Sequence, residues 1–85
     1  MKEIHLIGIN HVYDPKNLPY YVEWQEREYP ARSMDEANAL ARALLLHKIE
    51  DDCASVFKVT STSTSQMIKR FTVNEDGGID VWQRR

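Results

Sequence analysis

Only one stretch of the chain, Ser33 to Ile49, has the spacing of an amphipathic helix, and it opens with a capping box. In Ser33-Met34-Asp35-Glu36 the Ser33 hydroxyl can accept the Glu36 amide while the Glu36 side chain returns to the Ser33 amide. Asp35 and Glu36 also place negative charge at the positive end of the helix dipole, and the Ala- and Leu-rich run that follows contains no breaker. Met34, Ala37, Leu40, Ala41, Leu44 and Leu45 form one apolar stripe, and Asn38, Arg42 and Lys48 fall largely on other faces. A single helix with a single apolar stripe must lie across a sheet.

The flanking segments supply that sheet. Ile4 to Val12 alternates imperfectly and is apolar on both faces, as a central strand would be. Asp14 to Pro19 is dense in turn formers and should reverse the chain. Tyr20 to Tyr29 reads as one half-buried strand, with Tyr20, Val22 and Trp24 on one face and Tyr21, Glu23, Gln25 and Arg27 on the other, ended by Pro30. Ala54 to Ser61 is a further strand whose buried face the periodicity leaves open. Met67 to Val73 and Ile79 to Trp82 pair through the glycine-containing turn Asn74 to Gly78, which sets Phe71 and Val73 opposite Ile79 and Val81, with Lys69 on the same side. The expectation is a single α+β domain over residues 1–85 in the order ββαβββ, a mainly antiparallel sheet with one helix packed on one face.

Composition narrows the function classes. A hydrophobic fraction of 42% and a charged fraction of 28% are those of an ordinary globular chain. No apolar run approaches the roughly 18 residues of a membrane span, and Glu3 and His5 interrupt any secretory h-region. The lone Cys53 excludes an intramolecular disulfide and a two-cysteine metal knuckle, which fits a reducing, cytoplasmic setting.

No catalytic, cofactor or metal site is expected. His5 and His11 stand roughly 20 Å apart on one extended strand, too far to share a metal ion. Cys53 follows Glu50-Asp51-Asp52 at the negative end of the helix, where a thiolate is disfavoured. Asp35 and Glu36 have capping duties, Asp51 and Asp52 belong to a solvated exit loop, and Gly77-Gly78 follows two acids that would repel a phosphate.

Aromatic residues carry the functional expectation. Tyr21, Glu23, Gln25, Arg27 and Tyr29 would stand together on the face away from the helix, combining the Tyr and Arg side chains that anchor protein contacts. Small chains without catalytic motifs are frequent among phage and mobile-element products that block host machinery. We therefore expect a non-enzymatic module that binds a host or cognate protein stoichiometrically as a regulator or inhibitor, with homodimerisation compatible with its thin core. The alternative is a nucleic-acid-binding sheet that uses Lys69, Arg70, Arg84 and Arg85 with exposed aromatics. Against it, a net charge of −2 gives no bulk attraction to phosphate, and acids intersperse the same strands.

Overall fold

The computed structural model describes residues 5–6 and 14–85. Among these the chain forms β1 (His5–Leu6), β2 (Tyr20–Trp24), β3 (Arg27–Ala31), α1 (Met34–Leu44), β4 (Cys53–Val59), β5 (Thr64–Val73) and β6 (Ile79–Gln83). All strand pairs are antiparallel, in the order β1-β5-β4-β2-β3, with β6 also on β5. One helix on one face of an antiparallel sheet is the expected α+β architecture. The remainder of the expected first strand, with His11, lies outside the described residues.

The helix starts where its sequence says it should. Ser33, with extended backbone, accepts the Glu36 amide at 3.1 Å. Ala37, Ala41 and Leu45 are fully buried, and Met34, Leu40 and Leu44 pack beside them against Val22, Ala31, Ala54, Val56, Phe71 and Val73. Burial of such side chains stabilises by about 1.5–3 kcal/mol for each large one, so this layer is the main source of stability. The helix stops at Leu44, short of the expected Ile49, and Lys48 and Asp51 turn the chain with φ of 52° and 68°. Leu46 and Ile49 are left exposed.

Two expectations are corrected. The single strand over Tyr20–Tyr29 is a hairpin, β2 and β3, joined at Gln25 and Glu26, whose φ angles are 50° and 63°. Positive φ at both central residues is what a two-residue type I′ connection demands, and that connection matches the twist of the strands it joins. Among the described residues three strands therefore precede the helix instead of two. Pro30 does not end the strand; it sits inside β3, which tolerates it as the edge of the sheet.

A bulge in β5 sets the facing of everything beyond it. Val56 pairs with Lys69 but Phe57 pairs with Met67, so Ile68 is the extra residue. Before it, Ser65 and Met67 face away from the helix; after it, Lys69, Phe71 and Val73 face the helix and Arg70 and Thr72 face away. The β5–β6 hairpin has the expected register, with Phe71 opposite Val81 and Val73 opposite Ile79.

Candidate interaction face

The sheet face away from the helix is apolar at one level and charged at the next. Its apolar part is a second small core of Tyr21, Phe57 and Val59, with Leu18 and Met67 packed against it. The Tyr21 and Phe57 rings stack with centroids 4.9 Å apart and planes 4° from parallel. The Tyr21 hydroxyl and the fully buried Ser65 hydroxyl form a 2.7 Å hydrogen bond. Burial holds the Tyr21 phenol above its ordinary pKa; the Ser65 bond opposes this, and the charges of Glu28 and Glu23 add to it.

Tyr21 was expected to stand exposed on this face. It does point away from the helix, but only 3% of it is exposed, because β4 is apolar on both sides and supplies Phe57 and Val59 beside it. The rest of the expected contact set is dispersed. Glu23 is exposed on the same face; Gln25 lies in the β2–β3 turn; Arg27 and Tyr29 are on the helix side, paired with Trp24 and Val22, and Tyr29 packs against the main core. The hairpin turn is the cause, since it reverses the chain between Glu23 and Arg27 and resets the alternation.

The charged part of the face is one register row. Glu28, Glu23, Ser55, Arg70 and Trp82 lie side by side across β3, β2, β4, β5 and β6. At about 4.8 Å per strand the row is about 19 Å long, with Glu23 about 10 Å from Arg70. Its basic end is held in place by hydrogen bonds. Arg70 Nε donates to Ser55 Oγ at 3.2 Å and a terminal nitrogen reaches Met67 Sδ at 3.5 Å. Arg84 Nε donates to the Met67 carbonyl at 2.8 Å, with its guanidinium 5.6 Å from the Trp82 ring centre. Trp82 is 45% exposed between these two arginines.

The four basic residues of the alternative do not share one face. Arg70 and Arg84 flank Trp82, and Arg85 is exposed next to them in sequence, but Lys69 is on the helix side, where it donates to Asn38 Oδ1 at 3.1 Å and lies 5.5 Å from the centre of the Phe71 ring. Asp52, expected in solvent, is half-buried and accepts Trp24 Nε1 at 3.1 and 3.0 Å and the Cys53 amide at 3.0 Å. Among the described residues no three His, Cys, Asp or Glu side chains converge as a metal site would require, and no helix is long and apolar enough to cross a membrane.

No family model, curated protein or solved structure matches the chain. Trp82 was legible as an aromatic near the end of the last strand. Its adjacency to Arg70 follows from the same hairpin register that pairs Phe71 with Val81, so the signal for this patch was present in the Asn74–Gly78 turn.

Proposed function

We propose that the chain is a non-enzymatic protein-binding module that acts stoichiometrically, as a regulator or inhibitor in a cytoplasmic setting, through the face away from its helix. The observation that carries this reading is Trp82, a large aromatic left 45% exposed between two arginines whose side chains are already fixed by bonds to Ser55 and Met67. Exposed Trp and Arg are the commonest anchors of protein contacts, and side chains ordered before binding lose less entropy on association. Glu23 and Glu28 at the far end of the row favour a partner with the opposite polarity: acidic near Trp82 and basic near β3.

The test is capture from a source lysate by immobilised wild type and by Trp82→Ala, with and without nuclease, followed by affinity measurement on the protein recovered. A protein that survives nuclease and binds Trp82→Ala at least ~30-fold more weakly, the loss expected for an anchor residue, supports the reading. Undiminished binding by Trp82→Ala refutes this face as the contact. Recovery that disappears with nuclease or moderate salt refutes the protein partner and favours the alternative at Arg70, Arg84 and Arg85.

A further inference from the structure

The two edges of the sheet differ in how they are protected, and the difference points to a second copy of this chain. Natural edge strands are blunted by proline, bulges, charge or a covering element. The β3 edge carries Pro30. The β6 strand has no proline, pairs with β5 without a register shift, and exposes Val81 (43%) and Trp82 (45%). Among the described residues no strand lies on its outer side.

Two hydrogen bonds fix which backbone groups that side offers. The Asn74 amide donates to the Gly78 carbonyl at 2.9 Å, and the Arg84 amide donates to the Ile68 carbonyl at 2.8 Å. Bonded and non-bonded pairs alternate along an antiparallel ladder, so Asp80 and Trp82 bond inward to β5. Ile79, Val81 and Gln83 direct their N–H and C=O groups outward.

We propose that β6 pairs antiparallel with β6 of a second copy about a two-fold axis at Trp82, joining two sheets edge to edge. Three registers with the axis inside the strand, not at its terminal residues, are compatible with the outward groups. Centred on Asp80, the pairing sets Asp80 against itself, and like charges directly opposite repel. Centred on Val81, it sets Asp80 against Trp82 and leaves no charge compensated. Centred on Trp82, it places Asp80 opposite Arg84 of the second copy, twice by symmetry, and stacks the two Trp82 side chains. These pairs fall at non-bonded positions, where the strands approach to about 4.5 Å and side chains are closest. Val81 then exchanges both backbone bonds with Gln83 of the second copy. The joined sheet sets the two Trp82–Arg70 patches side by side, so one dimer would present a doubled contact face. This inference goes beyond the proposed function and stands without it.

Pairing along so short a strand makes a contact at the small end of specific interfaces, so the association should be weak and reversible. Sedimentation velocity from about 5 µM to about 1 mM, the range in which weak association shows, should reveal a concentration-dependent monomer–dimer exchange. Val81→Pro deletes an outward N–H without touching the β5 ladder and should weaken association by at least ~10-fold, with circular dichroism confirming the fold. Because Trp82 is intact in this variant, its capture of a partner is judged separately. A charge swap gives the second measurement. Asp80→Arg and Arg84→Asp should each weaken association, and the double variant should restore it; the two residues are about 13 Å apart along one strand, so restoration reports the intermolecular pair. A monomer at every concentration, a dimer indifferent to Val81→Pro in the folded state, or a double variant no better than the singles would each overturn the proposal.

Discussion

Replacing Tyr21 by Phe removes one oxygen, and with it the 2.7 Å bond to Ser65, and leaves the ring stacked on Phe57. Ser65 is fully buried, and its hydroxyl would lose that partner. Leaving a buried polar group unpaired costs about 1–3 kcal/mol, whereas replacing both partners with apolar groups is close to neutral. In urea, with a slope near 1 kcal/mol/M for a small domain, that cost lowers the Tyr21→Phe midpoint by roughly 1–3 M. Adding Ser65→Ala should recover most of that loss, a coupling of about 1–2 kcal/mol in the double-mutant cycle. The phenol also makes stability depend on pH. Its pKa is raised in the folded state, above all by burial, so its contribution is complete below the unfolded value of about 10 and is lost as pH rises through the folded value. Wild type should therefore lose stability above about pH 10 more steeply than Tyr21→Phe. Additive losses in Tyr21→Phe and Ser65→Ala, or equal alkaline slopes, would show that the hydroxyl pair does not support the second core.

The β2–β3 turn is built from residues poorly suited to it, since Gln25 and Glu26 both hold positive φ. Gln25→Asn with Glu26→Gly should raise stability by about 1 kcal/mol in urea unfolding, and an unchanged or lower midpoint would show that the turn is not strained. Reversing an acid on the open face separates the two functional readings. Glu23→Lys should weaken a protein partner fitted to the polarised row but tighten a phosphate ligand held by Arg70 and Arg84, with a steeper salt dependence. Fluorescence titration at two ionic strengths decides which direction holds.

Much of the fold was legible because local chemistry and the long-range pattern agreed. The Ser33–Glu36 cap named the helix start, the stripe from Met34 to Leu45 named its buried side, and Asn74–Gly78 fixed the last hairpin to the residue. The failures at the β2–β3 end come from a backbone feature that no side chain announces. Gln25-Glu26 contains neither Gly nor Asn, so the pattern reads as continuous strand there and puts Arg27 and Tyr29 on the face opposite to the one they occupy, while the assignments of Val22 and Trp24 to the helix side hold. Val56 and Phe57 are adjacent and both buried, on opposite faces, so the open question of which side of β4 is buried had the answer both. That burial is what covers Tyr21. The proposed contact face was therefore legible at its β6 end, where the register was known, and not at its β2–β3 end, where it was not.

The charge order of the open face carries more information than its net charge. Five residues in one row run from two carboxylates through Ser55 to an arginine and a tryptophan. In water, charges about 10 Å apart are screened at physiological salt, where the Debye length is about 8 Å, so Glu23 and Arg70 each act locally on a diffusing ligand. A single strand of nucleic acid needs only a few such local contacts and would settle on the Trp82 end alone, paying little attention to Glu23. A folded partner that covers the whole row displaces the water between its ends, and both signs then bear on its affinity at once. Discrimination by the full row, and not attraction by one part of it, is what distinguishes a protein-contact surface from a basic patch, and the proposed function requires both the Trp82 end and the Glu23–Glu28 end of the row.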